Sequence, residues 1–535
     1  MELSPSAHVD TFTRDNLPPF EQWPELRFDL PDVHYPDRLN CAEELLDKVI
    51  AEHGADRPCV LSPDETWSYG ELLRRANQIA QVLVEDLGLV PGNRVMLRGP
   101  NNPWTVACWF GVLKAGGVVV TTMPLLRAGE LRTTAEMGRI GIALCDHRLT
   151  EDLAKADIPG LRTLTFGGEG AELDALAATK SGEFTNVATA VDDVCMLAFT
   201  SGTTGRPKAT MHFHRDVLAI ADTFSKHVLK PRPDDVFTGT PPLGFTFGLG
   251  GLLIFPLRAG ASTLLLERAT PDQLFRHVAA HKVSVLFTAP TAYRAALPIL
   301  PELDISALRR CVSAGETLPK ATWEAFHQAT GIGIIDGIGA TEMLHIFVSA
   351  ADEDIRPGAT GKPVPGFVAQ VVGPDGSPVP DGEIGRLAVR GPTGCRYLAD
   401  ERQLEYVQNG WNITGDAYVR DADGYYWYQA RADDMIISSG YNIAGPEVEA
   451  ALLRHPDVLE CGVVGAPDAE RGMLVTAYVV LREGVSRGDE TVKDLQEFVK
   501  AEIAPYKYPR RVHFVDELPR TNTGKLQRFR LREMS

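Results

Sequence analysis

Apolar residues follow two rhythms along this chain. Through the first four-fifths, short β-branched and aromatic runs such as Ala261 to Leu266, Val283 to Phe287 and Ile332 to Ile335 alternate with stretches of helical periodicity. That alternation predicts layered α/β architecture. Val194 to Phe199 is another such run, read as a buried strand that passes directly into a polar, glycine-rich segment. Between Gly366 and Gly391 the rhythm changes: Phe367 to Val372, an Asp375-Gly376 turn, Asp381-Gly382 and Ile384 to Val389 read as a small β subdomain of hairpins. It changes again after Arg431. Glu447 to His455 predicts a short helix, Cys461 to Val464 and Thr476 to Leu481 predict strands, and Leu495, Phe498, Val499 and Ile503 line one face of a further helix. The fold class expected is α/β: a large N-terminal domain of layered sheets plus the small β subdomain, followed by a small α+β C-terminal domain of about 100 residues.

Length and composition permit this. A chain of 535 residues, 44% of them hydrophobic, buries a large core and exceeds one ordinary domain. The formal net charge of −18 argues against nucleic acid or an anionic membrane surface as partner, since both are polyanions, so an anionic ligand has to be met by local cations. Eight cysteines without a CxxC pair suggest neither a zinc site nor a disulfide framework and fit a reducing cytoplasm. Met1-Glu2-Leu3-Ser4-Pro5 has neither the basic start nor the apolar core of a signal peptide, and the apolar stretch from Phe245 to Leu257 is too short and glycine-rich to span a membrane. The expectation is a soluble, cytoplasmic protein.

Chemistry concentrates first in Phe199-Thr200-Ser201-Gly202-Thr203-Thr204-Gly205-Arg206-Pro207-Lys208. Hydroxyls at Thr200, Ser201, Thr203 and Thr204 can donate to phosphate oxygens, Gly202 and Gly205 let backbone N–H groups approach them, and Lys208 adds charge. The spacing is not the GxxxxGK of a Walker loop. By composition alone the same segment reads equally well as a linker. Four further motifs follow in order: Asp336-Gly337-Ile338-Gly339-Ala340-Thr341-Glu342, Thr414-Gly415-Asp416, Arg431-Ala432-Asp433-Asp434 and Pro519-Arg520-Thr521-Asn522-Thr523-Gly524-Lys525. Together with the loop they resemble the adenylate-forming superfamily of acyl- and aryl-CoA ligases, luciferases and peptide-synthetase adenylation domains. The resemblance runs from about Thr66-Trp67-Ser68-Tyr69-Gly70-Glu71-Leu72 to Lys525.

The resemblance implies a reaction and a role for each motif. A carboxylate is a poor electrophile, and conversion to an acyl-adenylate supplies AMP as leaving group before a thiol attacks. The cofactors implied are ATP, Mg²⁺ and coenzyme A. Thr200, Ser201, Gly202, Thr203, Thr204 and Lys208 would hold the β- and γ-phosphates. Thr341 would bond the α-phosphate and Glu342, a hard oxygen ligand, the metal. Asp416 and Arg431 would take the ribose, and Ala314-Gly315-Glu316 with Asp336-Gly337-Ile338 would flank the adenine. Lys525 would be the catalytic cation between the substrate carboxylate and the α-phosphate. A rotation about Asp433 would then withdraw Lys525 and bring Ser439 and Gly440 to the pantetheine arm. That hinge divides the chain into residues 1–432, the adenylation domain, and 433–535, a mobile domain carrying the lysine.

Pro242-Leu243-Gly244-Phe245-Thr246-Phe247-Gly248-Leu249-Gly250-Gly251 corresponds to the acyl-pocket motif of the superfamily, and it lacks the Asp with which amino-acid adenylation domains pair an ammonium. Phe245, Phe247 and Gly248, together with Gly339 and His345, suggest flat walls for an aromatic ring. Met343-Leu344-His345-Ile346-Phe347 resembles benzoate-type CoA ligases, while Phe247 and Asn442-Ile443-Ala444-Gly445-Pro446-Glu447 look closer to 2-aminobenzoate-CoA ligases. The substrate expected is 2-aminobenzoate, with benzoate and 2-hydroxybenzoate as near competitors. Ala430 before Arg431, the shifted Pro446 and Phe245 in place of a titratable gate depart from the usual pattern. A carrier protein in place of free CoA, a nucleotide sensor without turnover and a homodimeric state all stay open.

Overall fold

The computed structural model describes residues 3–200, 207–431, 434–438, 441–468, 471–503, 505–520 and 526–534. Among these residues four β-sheets organise the chain. The first has six strands in the order Arg162–Phe166, Ile142–Asp146, Arg94–Arg98, Val118–Thr122, Val194–Thr200 and Lys208–Phe213. All neighbours are parallel except the last pair. The second has nine strands and a parallel centre made by Ile334–Gly339, Arg310–Ser313, Val285–Thr288, Val236–Gly239 and Ser262–Leu264. Parallel strands need crossover helices, and these cover the sheets and exclude water from both faces. The helix Tyr69–Gln81 begins where the Ser68 hydroxyl accepts from Glu71 N–H and buries Leu72, Ala76 and Ile79. It packs on Pro103–Lys114, capped by Asn102 and buried along nearly its whole length. One apolar cluster runs between the two sheets, from Leu39 to Tyr426.

The pattern read as hairpins between Gly366 and Gly391 is a larger unit. Val368–Val372 and Ile384–Arg390 pair antiparallel, and the sheet then continues through Trp411–Arg420, Val407–Gln408 and Tyr426–Arg431. The remaining sheet belongs to the C-terminal stretch. There Val458–Asp468 and Gly472–Leu481 form a long hairpin flanked by the helices Gly445–Leu452 and Asp489–Glu502. A separate core fills it, from Ile436 and Val448 to Leu495 and Val499. The strand expected at Ile332 to Ile335 runs instead as Ile334–Gly339. It extends through its glycines because Ile346 of the antiparallel neighbour lies over Gly337, where a Cβ would come within 2.8 Å of it. The apolar stretch after Phe245 is helical in three consecutive pieces, Thr246–Leu249, Gly250–Ile254 and Phe255–Arg258. Among the described residues no helix is long and apolar enough to cross a membrane.

Candidate active site

Crevices in open parallel sheets lie beyond the carboxyl ends of the strands, and the motif residues gather there. Ser313 pairs with Asp336, so Ala314-Gly315-Glu316 leave their strand beside Gly337-Ile338-Gly339, which stay in the sheet against the antiparallel strand Ile346–Ser349. Gly315 takes φ 86°, a left-handed bend that suits glycine. Asp336 Oδ1 is buried without a hydrogen-bond partner among the described residues. Burial pushes its carboxyl up to about 8, against the pull of Gly337 N–H. In the third sheet Asp416 and Arg431 are register partners, and Arg431 Nη1 lies 3.3 Å from Asp416 Oδ1. Asp416 is buried and Arg431 exposed.

The phosphate corner is built from the first sheet. Thr200 pairs with Lys208 across the antiparallel strands, and Thr200 Oγ1 is buried with no partner among the described residues. Lys208 Nζ donates to Tyr397 Oη at 2.8 Å and lies 4.7 Å from the centre of that ring. Tyr397 Oη in turn donates to Glu342 Oε1, and Lys208 Nζ is 3.8 Å from the same oxygen. Burial and the Glu342 charge drive the Tyr397 phenol far above its ordinary range, so it stays a neutral donor. Glu342 sits in the single turn Thr341–Met343, 8% exposed. Both of its contacts go to Oε1, so among the described residues Oε2 takes no hydrogen bond. A buried carboxylate with one oxygen held and one uncommitted suits a hard cation such as Mg²⁺.

The sequence offered no signal for Tyr397. It stands in Cys395-Arg396-Tyr397-Leu398, away from every motif, and reaches the site because the segment pairs with the strand Lys208–Phe213: Met211 N–H donates to Arg396 O and Leu398 N–H to Ala209 O. Beside it Arg396 and Asp216 form an ion pair with both side chains fully buried. His212 and His214, which alternate in sequence as on one strand, separate here: His212 stays on the strand, while His214 opens the helix His214–Ile220. There His214 Nδ1 accepts from Cys41 N–H at 3.1 Å, with Cys41 Sγ at 3.2 Å.

The aromatic side of the site centres on His345, 3% exposed and ringed by four phenylalanines. Its ring centre lies 4.6 Å from Phe255, 5.6 Å from Phe224, 5.8 Å from Phe247 and 6.4 Å from Phe287. Neither ring nitrogen makes a hydrogen bond of good geometry among the described residues; the Phe247 backbone pulls the pKa up, but burial outweighs it and lowers the pKa to about 3, so the imidazole is neutral. Gly339 backs onto the His345 main chain: a Cβ there would sit 2.8 Å from the His345 carbonyl. Gly248 turns the helix start against Pro242 O, which a Cβ would meet at 2.1 Å. Phe247 therefore joins Gly339 and His345. Phe245 instead lines a small cavity with Thr121, Met196, Leu197 and Ala198, the last three from the strand that leads to Thr200. Phe255 comes from the same apolar stretch as Phe247, and Phe224 and Phe287 come from two other parts of the chain.

Ser201, Gly202, Thr203, Thr204, Asp433, Ser439, Gly440 and Lys525 lie outside the described residues. The residues flanking the last motif are brought together by an antiparallel bridge between Arg520 and Leu526.

Residues 46–397 match the family described as AMP-binding enzyme, and residues 447–525 match the AMP-binding enzyme C-terminal domain. The benzoate–CoA ligase of Thauera aromatica is 36% identical over 94% of this chain and 97% of its own length. Among solved structures, the anthranilate CoA ligase AuaEII in complex with anthranoyl-AMP superposes with a TM-score of 0.89 at 34% identity, covering 94% of this chain and 99% of that one. A benzoate CoA ligase from Burkholderia xenovorans superposes with a TM-score of 0.85 at 32% identity, covering 92% and 100%.

Proposed function

The chain belongs to the AMP-binding enzyme family, and from that premise we infer that it is an ATP-dependent aryl-CoA ligase that prefers 2-aminobenzoate. The reaction has two halves: aryl carboxylate and ATP give aryl-adenylate and pyrophosphate, then the CoA thiol displaces AMP to give the thioester. In this reading Lys208 and the hydroxyls from Thr200 to Thr204 hold the β- and γ-phosphates, Thr341 bonds the α-phosphate, and Asp416 with Arg431 holds the ribose. Ala314-Gly315-Glu316 and Asp336-Gly337-Ile338 enclose the adenine, whose amino group suits the unpartnered Asp336 oxygen. Glu342 would hold Mg²⁺, which supplies Lewis-acid neutralisation of the phosphate charge. Lys525 offsets the repulsion between carboxylate and α-phosphate as the new bond forms. Ser439 and Gly440 serve the pantetheine arm after rotation about Asp433.

The observation that carries the aryl reading is the neutral His345 inside its ring of phenylalanines, one turn beyond Glu342. Flat aromatic walls fit a benzene ring. An uncharged imidazole whose nitrogens are not fully satisfied favours an uncharged N–H or O–H substituent, because a buried donor or acceptor left unmade costs about 1–3 kcal/mol. The 2-amino group of anthranilate meets that demand; an unsubstituted benzoate leaves it unmet. Resemblance to the anthranilate enzyme at a TM-score of 0.89 supports the same choice.

The test is pyrophosphate release with MgATP and 2-aminobenzoate, benzoate, 2-hydroxybenzoate, phenylacetate or hexanoate, each with and without CoA. The expected result is release with the aryl acids, highest kcat/KM for 2-aminobenzoate, sustained only when CoA is present. Equal efficiency for benzoate and 2-aminobenzoate removes the substituent argument. Release that CoA does not sustain points to a carrier-protein acceptor.

A further inference from the structure

We propose that Tyr397 is a positioning residue that keeps the metal-binding carboxylate and the phosphate-binding ammonium from closing into direct hydrogen-bonded contact. The proposal rests on the reading of Glu342 as metal ligand. A phenol has one donor hydrogen and acceptor lone pairs, and here its hydrogen goes to Glu342 Oε1 while the oxygen accepts from Lys208 Nζ. Lys208 Nζ and Glu342 Oε1 are already 3.8 Å apart. Lys208 and Glu342 already form an ion pair at that distance, and with the hydroxyl gone small side-chain rotations close it into direct hydrogen-bonded contact. Such a contact draws the carboxylate away from a cation and the ammonium away from phosphate oxygens. With the hydroxyl in place, Oε1 is satisfied by a neutral group, Oε2 remains available, and Lys208 keeps its remaining hydrogens for a ligand.

The tyrosine is well held for this role. Its side chain is fully buried, its own N–H donates to Gln403 Oε1 at 2.9 Å, and its neighbours on both sides are hydrogen-bonded to the strand Lys208–Phe213. The Tyr406 ring packs against it edge-on at 5.9 Å. The buried Arg396–Asp216 ion pair anchors the preceding residue to the helix His214–Ile220. Tyr397 thus belongs to the same rigid sheet edge as Lys208, while Glu342 arrives from the second sheet, and the hydroxyl sets the distance between the two. Groups that orient a metal ligand in this way change metal affinity about 10- to 100-fold when removed.

The experiment compares the wild type with Tyr397→Phe, Glu342→Gln and Tyr406→Phe. Binding of α,β-methylene-ATP, which cannot transfer its adenylyl group, is followed by calorimetry across a Mg²⁺ series, and pyrophosphate release is measured in parallel. In Tyr397→Phe the half-saturating Mg²⁺ concentration rises about tenfold, while kcat recovers at high Mg²⁺ and KM for the aryl acid stays unchanged. Tyr406→Phe removes a neighbouring buried hydroxyl that has no partner among the described residues, and it leaves the Mg²⁺ series where it was. Replacing Lys208 by Met in the Tyr397→Phe background brings the Mg²⁺ requirement back toward wild type, because the competing ammonium is gone. An unchanged Mg²⁺ requirement in Tyr397→Phe, with Glu342→Gln raising it, overturns the role of Tyr397 alone. A Glu342→Gln variant with unshifted Mg²⁺ dependence overturns the metal reading and the proposal with it. A Tyr397→Phe loss of kcat or melting temperature that no Mg²⁺ concentration restores assigns the residue to packing.

Discussion

His345 and His212 are both buried imidazoles whose nitrogens make no hydrogen bond of good geometry among the described residues, and both are held to a pKa of about 3. Burial is the main cause for each; at His212 the charge of Arg396 adds to it. The sign of the pH dependence follows. In the unfolded chain both rings protonate near their ordinary pKa of about 6.5, and in the fold they stay neutral until about pH 3. Their contribution to stability is therefore complete above about pH 6.5 and is lost progressively as pH falls toward 3, by up to about 1.4 kcal/mol per pH unit for each ring. Chemical denaturation at pH 7.0, 6.0 and 5.0 should give a falling stability, and His212→Asn should remove close to one proton from that slope. An unaltered slope would mean that His212 is protonated in the folded state. His345 was legible as a pocket candidate because it follows Thr341-Glu342 in sequence. Its neutrality was not legible, since that comes from Phe224, Phe255 and Phe287, which only the tertiary fold brings to it.

The helical stretch that starts after Phe245 packs against that histidine. The piece Gly250–Ile254 lays its first glycine against it: a Cβ on Gly250 would stand 2.3 Å from His345 Cδ2 and 3.1 Å from the Phe255 ring. That spacing is far inside van der Waals contact, and the ring is caged, so it has to tilt. Gly250→Ala should raise KM for the aryl acid at least about tenfold, equivalent to about 1.4 kcal/mol, while leaving the affinity for ATP within about twofold. Aryl-acid and ATP titrations of pyrophosphate release measure both, and parallel increases in the two constants would show a general loss of structure instead. At this scale much was readable. The run Val194 to Phe199 became the strand Val194–Thr200, and the periodicity around Leu495 and Val499 became the helix Asp489–Glu502. What local pattern does not encode is pairing. The hairpins near Asp375 gave no hint of the three further strands that complete their sheet, and Phe245 and Phe247, two residues apart at a helix start, meet different neighbours, a small cavity for one and His345 for the other.

Across the whole molecule the decisive question is whether the C-terminal unit moves. It carries its own core, and its last helix is bound within it: Arg528 donates twice to Glu449, at 2.8 and 2.7 Å, and Arg532 pairs with Asp434. Asp434 is thus tied to the C-terminal helix Arg528–Glu533. Toward the large part, Arg294 Nη2 donates to Leu459 O at 3.1 Å in an exposed contact, the kind of bond that breaks at little cost because water replaces it. Two half-reactions that need different groups at one site then make separable predictions. Lys525→Ala should nearly abolish aryl-adenylate formation yet still convert supplied aryl-adenylate and CoA to thioester. Asp433→Pro should do the reverse, because proline fixes φ near −65° and removes an N–H where a rotation has to be absorbed: thioester formation should fall at least about tenfold more than pyrophosphate release. The two variants are informative as a pair, since a general weakening of the fold lowers both rates in both proteins. Opposite ratios between the half-reactions require a lysine that acts in one orientation and a joint that permits the other, whereas an equal ratio in Asp433→Pro would leave the lysine catalytic and move the joint elsewhere in the chain.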